Sequence, residues 1–179
     1  AAGCMAWMYL AFKQAPSADL GGSGTVGWIV ATILTLPALV LFLGSLKGNP
    51  ALPAPGARKA AARNPAGVFA VTRHPMMWGF ALWAISHIVL WWSWRTVIVA
   101  LAILILALIG ARLQDHKKEA LMGADWAGWE QRTSYWPRWT RLAGVSPLLW
   151  LVGIAGWLGV TWLHIGAGGI PAGIWRWIG

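Results

Sequence analysis

The strongest constraint on this chain is a series of unbroken apolar runs, the clearest being Thr25 to Leu46 at 22 residues. A helix rises 1.5 Å per residue, so about 20 residues cover the roughly 30 Å of hydrocarbon in a bilayer. Met76 to Trp94, Thr96 to Leu113 and Pro147 to Ile165 meet or approach that length. Hydrophobic residues make up 58% of the 179 positions and charged residues 11%. A soluble domain of this size cannot hide that much apolar surface, so the solvent for much of it is lipid. In lipid every backbone polar group needs an internal partner. The expected fold is therefore an all-α integral membrane protein, a polytopic helical bundle of about five to six transmembrane helices forming one membrane domain over residues 1–179.

Before these runs lies a shorter one, 2–12, which reads as the end of a helix whose beginning is absent. The chain opens Ala1-Ala2-Gly3-Cys4 without Met, and no basic region ahead of the run suggests a cleavable signal. Lys13 to Gly24 reads as a loop carrying Pro16, Asp19 and glycines. Pro37 is expected to kink the run 25–46, which a membrane helix tolerates when neighbours satisfy the freed carbonyl. Spans are then expected at 76–94 and 96–113, a hairpin turning at Arg95, and at 147–165, with a Gly-rich tail ending Trp175-Arg176-Trp177. Between them lie two long polar connections, 47–73 and 114–145. The second mixes charges with Trp126, Trp129, Trp136 and Trp139, as expected of a helix lying at the membrane interface.

Lys and Arg are distributed unevenly. Five occupy 47–73 (Lys47, Arg58, Lys59, Arg63, Arg73) and six occupy Arg112 to Arg141, against Lys13, Arg95 and Arg176 on the alternate side. Eleven against three places both long loops in the cytoplasm by the positive-inside rule. The net charge of +9 is thus a topology signal facing anionic lipid, and nucleic acid is not an expected partner. The single cysteine, Cys4, excludes an internal disulfide. Most of the 16 tryptophans lie near span ends, as in interfacial belts, with Trp83 a mid-span exception.

Two stretches carry chemistry-bearing residues. In Arg73-His74-Pro75-Met76-Met77-Trp78-Gly79, Pro75 suits a first helical position, which sets Arg73 and His74 at the cytoplasmic boundary beside unpaired backbone amides. They either form an anion or cofactor corner, or merely anchor and cap the helix. Gly79, Trp83 and His87 recur every four residues and share one face. A histidine inside a span needs a partner, which makes His87 a functional candidate. It lies about 20 Å beyond His74 and about 220° around the helix, so the two cannot share a metal. By depth His87 matches His164, and His74 matches His116. A haem between His87 and His164 is one reading, and a structural role for both histidines is the other. The second stretch runs from Asp115-His116-Lys117-Lys118-Glu119 through Gly123, Asp125, Trp126 and Trp129 to Arg132-Thr133-Ser134 and Pro137. There Arg132, Thr133 and Ser134 offer donors near a helix end.

Together the blocks Arg73-His74-Pro75/Gly79/Trp83/His87 and Asp115/Gly123/Trp126/Trp129/Arg132-Thr133-Ser134/Pro137 resemble the NnrU family of bacterial membrane proteins, which includes the plastid zeta-carotene isomerases. The resemblance covers Val71 to Pro137. It implies a multi-helix protein of the bacterial inner (cytoplasmic) membrane, carrying haem b on histidines, with His74 and His87 the matched candidates; His164 is a candidate by its depth alone. It also implies either cis–trans isomerisation of a linear carotene or a role in denitrification and nitric oxide metabolism. The family usually has another histidine in an N-terminal helix, which this chain does not match. More distantly, Arg73-His74-Pro75, Gly79, Glu119, Gly123, Trp126 and Trp129 resemble isoprenylcysteine carboxyl and phospholipid N-methyltransferases, which implies S-adenosylmethionine at the cytoplasmic corner with Arg73 and His74 near its carboxylate. A non-catalytic subunit of a larger membrane complex is the third expectation. On the first reading a lipophilic small molecule enters from the bilayer and meets Gly79, Trp83 and His87. Arg73, His74, Arg132, Thr133 and Ser134 then hold the polar part of a cofactor by charge-assisted hydrogen bonds.

Overall fold

A computed structural model describes residues 2–16 and 23–178, and among these residues it contains helices and no strands. In chain order they are α1 (Ala2–Gln14), α2 (Gly24–Gly44), α3 (Ala57–Ala61), α4 (Val68–Val71), α5 (Pro75–Leu90), α6 (Trp94–Met122), α7 (Ala124–Arg132), a 3₁₀ turn (Trp139–Gly144), α8 (Pro147–Gly168) and α9 (Trp175–Ile178). Three of them, α2, α6 and α8, are long and apolar enough to cross a membrane, while α5 is apolar but has 16 residues. The central part of the expected loop, 17–22 with Asp19, lies outside the described residues.

Two boundaries differ from expectation, each for a local reason. The span expected at 76–94 stops at Leu90, where Trp91 turns extended. Ser93 then caps α6 by accepting from the Thr96 amide at 3.3 Å, so Trp94 and Arg95 start the next helix rather than forming the turn. The run expected to end at Leu113 continues as helix to Met122, because nothing breaks the backbone before Gly123, at φ 56°. Residues 114–122 are thus the last turns of α6, with Asp115, Lys118 and Met122 buried, and α7 follows as a separate short helix. Pro37 is accommodated inside a continuous α2.

Helix α2 is the spine, packing against α5 on one side and α8 on the other, and α5 in turn packs against α6. Small residues set these spacings. A Cβ on Gly79 would stand 2.7 Å from the Ala38 carbonyl oxygen, and one on Gly153 would stand 2.6 Å from Val40. Without hydrophobic drive between helices in lipid, such close approach is what holds them together. Five tryptophans, Trp28, Trp78, Trp126, Trp129 and Trp157, are buried in the packing rather than lying in a belt, whereas Trp7, Trp92, Trp94, Trp136 and Trp162 are exposed. The loops 47–73 and 114–145 gather at one end of the bundle, the basic end. The α2 start, the α5–α6 turn and the chain after α8 form the opposite end, where Arg95 donates to the Phe12 and Ala15 carbonyls, both at 3.2 Å, and ties down α1.

Candidate functional site

The residues singled out in the sequence fall in two places: Arg73 and His74 meet the stretch from Asp115 at the basic end, while Trp83, His87 and His164 lie toward the opposite end. At the basic end, Pro75 is indeed at the start of α5, but the His74 side chain makes no cap bond. Instead His74 and Arg73 turn onto Asp115 of α6. Arg73 Nε and Nη2 reach the Asp115 carboxylate at 3.0 and 2.7 Å, and His74 Nε2 donates to Asp115 Oδ1 at 2.7 Å. Arg73 Nη2 also meets Glu130 Oε1 of α7 at 2.8 Å. All of this is dry: Arg73, His74 and Asp115 are 7%, 2% and 3% exposed. The Arg73 and Arg112 guanidiniums lie over the Tyr135 ring.

One guanidinium here serves two carboxylates, and Asp115 takes its best geometry. Glu130 is left with its pKa raised, first by burial, then by a hydrogen bond with Glu119 and the charges of Asp115 and Glu119, which outweigh Arg73. The segment after α7 is pinned by the same strand of chain that leads into the hub. Thr72 Oγ1 donates to the Tyr135 carbonyl at 2.8 Å, the Arg73 amide to the Ser134 carbonyl at 2.8 Å, and the Trp78 indole to the Tyr135 carbonyl at 2.9 Å. Of the expected donors, Arg132 bonds the Ala61 carbonyl at 2.6 Å and the Thr133 hydroxyl bonds the Trp129 carbonyl at 2.6 Å, while Ser134 contributes its own carbonyl. His116 is exposed beside Glu119.

Toward the opposite end lies a cavity of about 380 Å³ in the groove over α2, between α5 and α8. Gly79, Trp83 and His87 line it from α5, Thr35 and Phe42 from α2, and Trp157, Thr161 and His164 from α8. The common face of Gly79, Trp83 and His87 thus meets His164 across one space, whereas His74 stays on the hub. A second pocket of about 330 Å³ adjoins it and shares Trp91, Val160, His164 and Ile170.

Both cavity histidines are oriented alike. His87 Nδ1 lies 2.9 Å from the Trp83 carbonyl and His164 Nδ1 lies 2.8 Å from the Val160 carbonyl, in each case one turn back along its own helix. A carbonyl only accepts, so each Nδ1 carries the proton and each Nε2 keeps a free lone pair. The His87 ring also stacks on Trp83, with centroids 4.0 Å apart. The hydroxyls of Thr32, Thr35, Ser86 and Thr161 donate to backbone carbonyls of their own helices, and Trp157 Nε1 donates to Thr35 Oγ1 at 2.9 Å. Among the described residues no three His, Cys, Asp or Glu side chains gather to hold a bare metal ion.

Sequence reasoning singled out Gly79, Trp83, His87 and His164 but not the hydroxyl-bearing residues of α2 and α8, nor Asp115, Glu130 and Tyr135 as a working group. An aspartate just beyond an almost purely aliphatic run was the available signal, since such a charge demands a partner.

Comparison with curated proteins and with solved structures finds no match. A family model described as NnrU protein matches residues 1–172, well beyond the Val71 to Pro137 region in which the resemblance was legible. The chain belongs to the NnrU protein family.

Proposed function

We propose that this protein binds haem b in the cavity between α5 and α8, where His87 and His164 would hold it. The observation that carries the reading is their shared orientation: two histidines line one apolar cavity, each with Nδ1 tied to a carbonyl and Nε2 free. That bond to the backbone carbonyl fixes the tautomer and ring plane in the way ligating histidines require. Trp83 and Trp157 supply flat apolar walls, and Gly79 lets α5 lie close against α2 at the cavity's inner end. The chemistry haem supplies when bound is one-electron exchange at iron.

On this reading the protein acts on a lipophilic molecule that enters the groove from the bilayer, in an isomerase-like or redox role such as the family resemblance implies for carotenes or nitrogen oxides. Phe80, Trp83 and Val160 are cavity-lining and exposed, so a molecule in the lipid meets the groove without crossing water. The groups that S-adenosylmethionine would use, Arg73 and Arg132, already bond Asp115, Glu130 and the Ala61 carbonyl, so the hub serves to hold α5, α6 and α7 together. We place α1, α2, α5, α6 and α8 across the bacterial inner membrane, with α7 at its interface and the basic end in the cytoplasm, in keeping with eleven Lys and Arg there.

The test is titration of the purified protein in detergent with haemin, followed by absorbance. Wild type is expected to bind stoichiometrically, and His87→Ala and His164→Ala each to lose or alter the Soret band while His116→Ala does not. Wild type that stays colourless sinks the haem reading. A colourless protein that binds S-adenosylmethionine instead supports the methyltransferase alternative, and one that binds neither but co-purifies with fixed partners supports a subunit role.

A further inference from the structure

The basic end of the bundle carries more cations than its own acids meet. Both long connections are described in full, and their four acids are engaged: Asp115 with Arg73 and His74, Glu130 with Arg73, Asp125 with Arg58 at 2.6 Å, and Glu119 beside His116 at 3.6 Å. Among the described residues no acid pairs with Arg138 or Arg141, and both arginines are exposed.

The backbone nevertheless holds these two close together. The Arg138 amide donates to the Val71 carbonyl at 2.8 Å, which ties the segment to the chain leading into α5, and the Arg141 amide donates to the Arg138 carbonyl at 2.8 Å. That second bond leads into the 3₁₀ turn Trp139–Gly144. With three residues per turn, positions three apart stand one above the other, so the two arginine side chains fall on one side. Like charges so placed repel, and an anion between them removes the cost.

Two tryptophans flank the pair in sequence. Trp136 and Trp139 are 66% and 45% exposed, yet each rests on the buried Trp78 ring, with centroids 5.4 and 6.2 Å apart. Just after the turn Pro147 opens α8, whose Leu148 and Leu151 are 70% and 64% exposed. With α8 placed across the membrane as above, those leucines lie in hydrocarbon, and the turn before them lies at the level of the lipid headgroups.

We propose that Arg138 and Arg141 bind the phosphate of an anionic lipid, with Trp136 and Trp139 packed at the boundary between its headgroup and its chains. A guanidinium fork matches phosphate oxygens in paired hydrogen bonds, and indoles are favoured at that boundary. Two cations without an acid select an anionic headgroup over a zwitterionic one. The site rests on the membrane placement of α8 and is independent of haem. Lys59 and Arg63 are equally exposed cations of the same end, in a connection without tryptophan, and serve as the control.

The test titrates phosphatidylglycerol and phosphatidylcholine into the full chain in neutral detergent and counts retained lipid by native mass spectrometry. Wild type is expected to hold one phosphatidylglycerol at least about tenfold tighter than phosphatidylcholine, since each cation beside an acidic headgroup contributes roughly fivefold. Arg138→Gln and Arg141→Gln are each expected to lose about fivefold of that preference, and the double variant to bind both lipids alike. Arg138→Lys/Arg141→Lys keeps the charges without the fork and is expected to fall between, while Lys59→Gln/Arg63→Gln keeps the wild-type preference. Wild type without a preference, or a double Gln variant that keeps it in full, overturns the proposal. If Lys59→Gln/Arg63→Gln loses as much as the arginine pair, overall charge attracts the lipid and there is no site. If inorganic phosphate raises the thermal midpoint of wild type as much as phosphatidylglycerol does, the ligand is a soluble anion and the proposal fails. Should a Gln variant melt below wild type without lipid, the Lys pair decides, and an undiminished preference there overturns the proposal. Haemin titration of the double Gln variant is expected to match wild type, so the haem reading stands or falls separately.

Discussion

Removing Asp115 is the most informative perturbation of the fold. Its carboxylate accepts from Arg73 at 3.0 and 2.7 Å and from His74 at 2.7 Å, with side chains 4%, 8% and 1% exposed respectively. In Asp115→Ala the Arg73 charge stays buried with Glu130 as its remaining anion, and His74 Nε2 loses its acceptor. Breaking a buried pair by removing one partner costs about 3–5 kcal/mol, and the retained Glu130 contact argues for the lower end, about 3 kcal/mol. That is roughly a 150-fold fall in the folding equilibrium constant. Arg73→Met strands Asp115 similarly, with His74 as its one remaining donor. The double variant Arg73→Met/Asp115→Leu leaves neither charge, so it is expected to cost less than the two single changes combined, by a coupling of at least about 2 kcal/mol. Unfolding in mild detergent followed by tryptophan emission measures all four proteins. Single variants within about 1 kcal/mol of wild type, or strictly additive costs, would refute the view that this hub locks α5 to α6.

Three further outcomes follow from other contacts. Gly79→Ala places a methyl 2.7 Å from the Ala38 carbonyl and is expected to destabilise by about 1–3 kcal/mol, whereas Gly110→Ala, with open space around it, is expected to be neutral or slightly stabilising; thermal midpoints distinguish them. Glu130 has its pKa raised above the ordinary 4.5, so folding favours its protonated form; that contribution is present below 4.5 and lost as pH rises through the raised value, and Glu130→Gln is expected to flatten this decline in a pH series of midpoints. Trp157→Phe removes the 2.9 Å bond to Thr35 in the cavity wall between α2 and α8, and weaker haemin binding with less than about 1.5 kcal/mol of lost stability is expected from a titration paired with a melt.

Much of this was legible because lipid imposes simple rules. The apolar run ending at Leu113 and the proline starts of α5 and α8 are local signals, and Pro75 and Pro147 both open helices. The length of α6 was not legible: residues 114–122 are polar and their helicity follows from having no breaker before Gly123, which a hydropathy reading ignores. Histidine depth paired His87 with His164 because rise per residue is fixed, and the cavity joins those two residues. The partnership of Arg73 with Asp115 spans 42 positions and depends on how α5 and α6 cross, which no local pattern encodes. Likewise nothing in Gly168-Gly169-Ile170-Pro171 distinguishes a strap folding back on Trp157 from a tail leaving the membrane; the close approach at Gly173 decides it.

The haem reading stands or falls on axial ligation by two particular side chains. The visible spectrum of the haemin-loaded protein, in both oxidation states, reads this directly. Six-coordinate, low-spin bands in wild type are expected, converting to five-coordinate features in both His87→Ala and His164→Ala and unchanged in His74→Ala, whose ring is held on Asp115. A wild-type spectrum indifferent to either cavity histidine, or one lost on replacing His74 in a protein that still folds, would contradict it.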